Sequence, residues 1–110
     1  MNIVDKTGYT LITSEEKTFS SFLENFDNEY VNLTGKNLII VISEEFNASN
    51  KNILLFLRYA EQHQNNGTSF VVVSKDVTID DFPDTFNIVP TLVEAEDVIE
   101  MENIQRDLGF

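Results

Sequence analysis

Five consecutive apolar residues, Leu38 to Ile42, limit the possible folds of this chain more than any other feature. A strand with one face in water alternates apolar and polar residues, whereas a strand covered on both faces is an unbroken apolar run. The run therefore predicts a strand in the middle of a sheet, with helices on both sides. A second run, Phe70 to Val73, predicts a neighbouring strand in a βαβ unit with a right-handed crossover.

The first third of the chain predicts a β-hairpin followed by a helix. Residues 1–4 and 9–13 have strand character around the turn at Thr7-Gly8. A capping box of Thr13 and Glu16 is expected to start the helix, because each side chain can bond a free backbone N–H. The apolar positions of this helix follow helical spacing: Phe19, Phe22, Leu23, Phe26 and Tyr30.

The remaining segments complete the predicted order ββαβαβ(α)βα. A helix is expected from about Lys51 to His63, a short helical or turn segment at 80–83, and a brief edge strand at 87–90. Thr91 and Glu94 form a second possible capping box, at the start of the last helix. The buried side of that helix is predicted to contain Ala95, Val98, Ile99 and Met101.

Composition excludes several classes of function. A length of 110 residues predicts one domain, spanning 1–110. A net charge of -12 repels phosphate backbones and anionic membranes, so neither nucleic acid nor a membrane is an expected partner. The chain has no cysteine, which excludes disulfides and thiolate metal centres. No apolar stretch reaches the roughly 18 residues of a membrane span, so we expect a cytoplasmic protein.

Two stretches resemble the STAS family, the fold of anti-sigma-factor antagonists and of the cytoplasmic tails of sulfate transporters. Residues 38–43 resemble the family strand that ends in D-L-S, and residues 88–95 resemble its closing strand and T-x-x-E-A helix start. The resemblance implies a single STAS-like α/β domain, a mixed sheet with helices packed on it. It also implies a bacterial, non-enzymatic adaptor, monomeric or weakly dimeric, whose partner is a protein such as an anti-sigma factor or a kinase-like protein.

The loop after the central strand departs from the family pattern. Family members that act as phosphorylation switches carry D-S-S-G there, whereas this chain has Asn47-Ala48-Ser49-Asn50-Lys51. Ser49 is the candidate switch residue, because a phosphate at that point would meet the N-terminus of a helix. A simple N-cap is the commoner role for such a serine and is the favoured interpretation. The residues expected to contact a partner are Glu44, Glu45, Phe46, Asn47 and Asn50.

Acidic residues are concentrated in the last third of the chain. Ten of the nineteen lie between Asp76 and Phe110, against one basic residue. Such a run is most often a solvated helix face. The functional alternative is a docking face for a basic partner, which complementary charge would select and attract. Its expected members are Glu96, Asp97 and Glu100.

The sequence contains no group of residues in a pattern known for catalysis, metal binding or phosphate binding. His63 is expected in solvent at a helix C-terminus, and no acid or nucleophile pattern accompanies it. The spacing of Asp80, Asp81 and Asp84 does not match a calcium loop. The four glycines are isolated, so no phosphate-binding loop exists. We therefore expect no enzyme, no metal and no cofactor.

Two other functions remain open. Nine Phe and three Tyr permit an apolar cavity for a small molecule such as a lipid or nucleotide, although the same rings lie on the predicted helical core stripes. Residues 88–110 are also similar to small STAS-like proteins that carry the label of a tRNA 3′-processing nuclease. One histidine cannot build the di-zinc site of that nuclease, so an accessory role is the most that this similarity implies.

Overall fold

Five strands form a single mixed sheet in the computed structural model, which describes residues 1–75, 77 and 79–109. The strand order is β1-β2-β3-β4-β5, so β3 is central and the predicted central strand is confirmed. β1 and β2 pair antiparallel as the predicted hairpin, and all other neighbours are parallel. Asp76 and Phe110, the limits of the acidic segment, lie outside the described residues. The strands are β1 (Asn2–Lys6), β2 (Tyr9–Thr13), β3 (Leu38–Val41), β4 (Phe70–Val73) and β5 (Asn87–Val89).

The helices differ from the predicted order in the segment between β3 and β4. Where one helix was expected, a 3₁₀ turn at Leu54–Phe56 separates two α-helices. A 3₁₀ turn has three residues per turn, and this spacing brings Ile53, Phe56 and Tyr59 onto one buried side. The predicted helical segment before β5 is a single 3₁₀ turn, Ile79–Asp81. The helices are α1 (Phe19–Glu29), α2 (Asn50–Ile53), α3 (Leu57–Asn66) and α4 (Leu92–Asp107).

The start of α1 was predicted wrongly. Thr13 is the last residue of β2, and the helix begins after Thr18, whose side chain accepts a hydrogen bond from the Ser21 N–H. Glu16 lies in the intervening loop, where its carboxylate accepts hydrogen bonds from the Met1 ammonium (2.8 Å) and the Asn25 amide (2.7 Å). The carboxylate therefore joins three segments of chain instead of capping a helix.

One side of the sheet, here called the aromatic face, carries most of the core. α1, the α2–α3 segment and the connection to β5 all contribute to it, so every crossover between parallel strands packs on this side. The rings of Phe26 and Tyr59 are 5.0 Å apart, and those of Phe26 and Phe56 are 5.3 Å apart. The prediction that the rings on the helical stripes are core is confirmed. The buried rings on this face are Phe19, Phe22, Phe26, Tyr30, Phe56, Tyr59, Phe70, Phe82 and Phe86.

The opposite side, here called the valine face, is covered by α4. Its buried cluster contains Ile39, Val71 and Val73 from the sheet and only Ala95 and Ile99 from the helix. Helices on both sides of β3 were predicted, and this is confirmed. The prediction that Met101 is buried is wrong, because its side chain is 59% exposed. Met101 is two residues after Ile99, which places it about 200° around the helix from the buried side.

His63 is buried, and the prediction that its side chain is in solvent is wrong. It is 1% exposed, and its ring lies 5.3 Å from that of Phe70 and 5.6 Å from that of Tyr30. Nδ1 is 2.8 Å from the Thr68 hydroxyl. Burial lowers the pKa of His63, with the backbone of Lys36 acting weakly in the opposite direction. The neutral imidazole is therefore part of the core.

Neutral burial of His63 predicts a loss of stability in mild acid. The folded-state pKa is below the ordinary value of 6.5, so the unfolded chain binds a proton first as the pH falls. The contribution of His63 to the free energy of unfolding should therefore decrease as the pH falls below this value, by at most about 1.4 kcal/mol per pH unit. Urea unfolding at several pH values measures this. The slope between pH 6.5 and 5 should be smaller in His63→Gln, and an unchanged slope would contradict the prediction.

Candidate interaction surfaces

The segment from Ser43 to Asn50 is a folded loop at the carboxyl end of β3. Glu44–Phe46 forms a 3₁₀ turn that begins with a hydrogen bond from the Glu45 N–H to the Ser43 hydroxyl. Asn47 follows in the left-handed region, at φ 48°, which asparagine tolerates better than most residues. The chain then enters α2. The loop thus reverses direction within a few residues and presents its polar side chains outward.

Hydrogen bonds and an ion pair attach this loop, at the same edge of the sheet, to the loop after β2 and at two points to the connection between β4 and β5. The Ser43 N–H donates to the Ser14 hydroxyl (2.9 Å), in the loop after β2. The Glu44 carboxylate pairs with the Lys75 ammonium (2.9 Å), in the loop after β4. Further along, the Asn50 amide donates to Asp81 (2.5 Å). Ser14, Lys75 and Asp81 were not predicted as members of the site, because only the parallel order of β2, β3 and β4 brings their loops together.

The Phe46 side chain anchors this loop to the aromatic face. Its ring centroid lies 6.1 Å from that of Phe22 and 6.3 Å from that of Phe19, and the side chain is half-buried against the aromatic face. Phe46 was predicted to contact a partner, whereas the structure places its ring inward. The remaining predicted contact residues, Glu44, Glu45 and Asn47, are exposed, and Asn50 is half-buried.

Ser49 is the N-cap of α2, as the favoured interpretation predicted. Its hydroxyl accepts from the Asn52 N–H (3.2 Å), and its own N–H donates to the Asn52 side chain (3.1 Å). Together these two bonds form a reciprocal capping box. α2 has four residues, so Ser49 stands before a single turn of α-helix. A switch by phosphorylation stays a prediction; intact-mass measurement of protein from its native cells would show a species about 80 Da heavier.

The cavity beneath the loop has a volume of about 110 Å³. Small-molecule sites usually have about 300–1,000 Å³. Open α/β sheets form a larger crevice where the strand order reverses. This sheet has no reversal, and all crossovers between its parallel strands lie on the aromatic face. The carboxyl edge therefore presents a surface instead of a deep cleft.

The predicted acidic docking face consists of residues in two different environments. The carboxylate of Glu96 accepts a hydrogen bond from the Tyr9 hydroxyl (2.7 Å). Burial, and then the contact with Glu96, raise the pKa of Tyr9 to about 12. Asp97 and Glu100 are exposed, and no other residue in the described part of the chain bonds their carboxylates. Asp97 and Glu100 are thus available to a partner, whereas Glu96 helps to hold α4 against β2.

The two predicted partner-binding regions are not brought together. The loop packs through Phe46 and Ala48 on the aromatic face, whereas α4 lies on the valine face. The helical spacing of the apolar residues of α4 indicates a second apolar side, which was not predicted. In addition to its buried side, this helix has an outward row of apolar side chains, which are exposed. They are Val93, Met101, Ile104 and Leu108.

A cleft of about 460 Å³ lies at the opposite edge of the sheet, between the C-terminal ends of α3 and α4. It is lined mainly by polar side chains, including Thr68, Asp84 and Glu102. Arg106 also borders it, and its guanidinium donates to the Ser69 hydroxyl (3.1 Å) and to Asn103 (2.5 Å). The aromatic rings do not line this cleft, apart from Phe70.

Residues 1–75, 77 and 79–109 contain no group of three or more His, Cys, Asp or Glu side chains placed to hold a metal ion. Within the same residues, no helix combines the length and the apolar character needed to cross a membrane. Comparisons with protein families, curated proteins and solved structures give no match for this chain. The function is therefore inferred from the surfaces described above.

Proposed function

We propose that this chain is a non-enzymatic protein-interaction module of the STAS type, acting as a regulatory adaptor. Its recognition surface is the loop Ser43–Asn50, with the acidic face of α4 as a second contact region. The observation that carries the proposal is the attachment of this exposed loop to two neighbouring connections, the one after β2 and the one after β4, and to the core through Phe46. A partner protein, such as an anti-sigma factor or kinase-like protein, would contact Glu44, Glu45 and Asn47.

Attachment of the loop matters because ordering a flexible segment weakens binding. Each rotamer-rich side chain immobilised at an interface costs roughly 0.5–1.5 kcal/mol. Here the capping box, the ion pair of Glu44 with Lys75 and the bond of Asn50 to Asp81 fix the loop before a partner arrives. The STAS-like character is supported by the hairpin at the start, the central buried β3 and the Thr91 cap that opens α4.

Affinity purification from the native cells tests the proposal. The tagged chain should reproducibly capture a protein, and the double variant Glu44→Lys/Glu45→Lys should capture at least about tenfold less of it. The matched control is Glu24→Lys/Glu61→Lys, which makes the same charge change at exposed positions on α1 and α3. Thermal unfolding of both variants checks that they fold. Equal capture by both variants, or no reproducible capture by the wild type, would contradict the proposed function.

The cleft of about 460 Å³ supports a second candidate function, binding of a small polar molecule. Its volume lies in the usual range for such sites, and Arg106 and Gln105 offer donors at its border. A thermal-shift screen with nucleotides, lipids and small polar metabolites distinguishes the two functions. A reproducible upward shift that Gln105→Leu removes would favour the small-molecule function.

A further inference from the structure

The outer side of α4 carries an exposed apolar row, here called the outer row: Val93, Met101, Ile104 and Leu108. Each of the four side chains is more than half exposed. In the described part of the chain, eight large apolar side chains are exposed, and five of them lie on α4 or its C-cap. An exposed apolar concentration of this kind indicates a contact site.

The spacing of the outer row is that of a helix–helix seam. Met101, Ile104 and Leu108 follow one another at intervals of three and four residues, so they lie on one side of the helix. From Val93 to Leu108 the row extends about 22 Å along the axis. The geometry fits a second helix of about four turns laid against α4.

Two carboxylates are embedded in this row. Asp97 is four residues from both Val93 and Met101, and Glu100 is four residues before Ile104. Any partner that covers the row removes water from these carboxylates. A buried carboxylate without a cation is costly, so the covering helix must bring lysine or arginine opposite them.

A second copy of this chain cannot supply those cations through the same helix. The only basic residue of α4 is Arg106, and its guanidinium is bonded to Ser69 and Asn103 on the inner side. Two copies of α4 in contact would place carboxylates against carboxylates, and each chain carries a net charge of -12. The charge pattern therefore favours a different, basic protein.

We infer that the outer row of α4 is the docking site for one amphipathic helix of a partner protein, apolar along one side and carrying Lys or Arg beside it. This inference rests on the proposed function and specifies the chemistry of the partner. The apolar contacts supply affinity, and Asp97 and Glu100 select and orient the basic helix.

A synthetic peptide of basic amphipathic sequence provides the direct test. It has leucines along one helical side and lysines directly flanking them, and its control has the same composition in scrambled order. Titration calorimetry should show binding of the first peptide to the wild type, with the scrambled peptide at least about tenfold weaker. Equal affinity for both peptides, or no binding of the amphipathic one, would overturn the inference.

Variants identify the site on the protein. Met101→Ser/Ile104→Ser should weaken peptide binding at least about tenfold, and so should Asp97→Lys. The control Val31→Ser/Leu55→Ser removes two exposed apolar side chains elsewhere and should leave binding unchanged. Equal affinity in all variants would overturn the inference. So would sedimentation showing a wild-type dimer that Met101→Ser/Ile104→Ser dissociates, because the occupant would then be a second copy.

Capture of the native partner distinguishes a failure of this inference from a failure of the proposed function. In the affinity purification, Met101→Ser/Ile104→Ser should lose the captured protein as the loop variant does. If the loop variant loses the partner and the outer-row variant keeps it, the proposed function stands and the docking site on α4 is wrong. If the wild type captures nothing reproducibly, the proposed function itself fails.

Discussion

Phe26→Ala should destabilise the protein by about 3–5 kcal/mol, the usual cost of removing a buried aromatic ring from a tightly packed core. Phe26 is fully buried, and five other rings have centroids within 6.4 Å of its own. The neighbours come from α1 and its C-cap, the α2–α3 segment and β4, so the cavity would affect all of the aromatic face together. Those rings are Phe22, Tyr30, Phe56, Tyr59 and Phe70.

Urea unfolding followed by circular dichroism measures the effect of Phe26→Ala. A loss of this size is a large part of the 5–15 kcal/mol that typically separates folded from unfolded domains, so partial unfolding without denaturant is also an expected result. Val31→Ala is the control, because Val31 is exposed just beyond α1, and its cost should be within about 0.5 kcal/mol. Similar losses in the two variants would show that the aromatic face is not the main core.

Ile99→Ala should cost about 2–5 kcal/mol, with most of the loss at the contact between α4 and the sheet. α4 buries only Ala95 and Ile99 fully, so Ile99 supplies most of the apolar area that holds the helix on the valine face. The aromatic face does not include this side chain. We therefore expect α4 to separate from the sheet before the rest of the protein unfolds.

Amide hydrogen exchange distinguishes this local opening from global unfolding. In Ile99→Ala the amides of α4 should exchange much faster, while those of β3 and α1 change less. Ile104→Ala removes a similar amount of side chain from the outer side of the same helix and should have little effect on stability. Equal acceleration of exchange in α4 and β3 would show that the two faces are not independent.

The sheet was predictable where the pattern is local. Five apolar residues in a row require cover on both faces, and β3 is indeed central with helices on each side. The N-cap at Thr91 was also predictable. Its hydroxyl accepts a hydrogen bond from the N–H of Glu94, which is only three residues away in the sequence. The similar pattern of Thr13 and Glu16 failed because Thr13 belongs to β2, whose extended backbone continues into a loop.

The rest depends on contacts between residues distant in the chain. His63 looked exposed at the end of its helix, but the rings of Tyr30 and Phe70 surround it, and both belong to other elements. The loop site includes Lys75 and Asp81 only because β3 and β4 run parallel. Met101 is close in sequence to the buried Ile99, but its angular position on α4 places it on the outer side of the helix, with the rest of the outer row.

Native-state hydrogen exchange of the wild type shows whether β3 lies between a large aromatic core and a smaller contact with α4. Exchange is measured at increasing denaturant concentration. The opening free energies of the Ile39, Ile40 and Val41 amides should equal the free energy of global unfolding. The amides of α4 should open at a distinctly lower free energy. This arrangement would be contradicted if the amides of β3 exchanged as readily as those of a strand at the edge of a sheet. It would also be contradicted if the amides of α4 were as protected as those of β3.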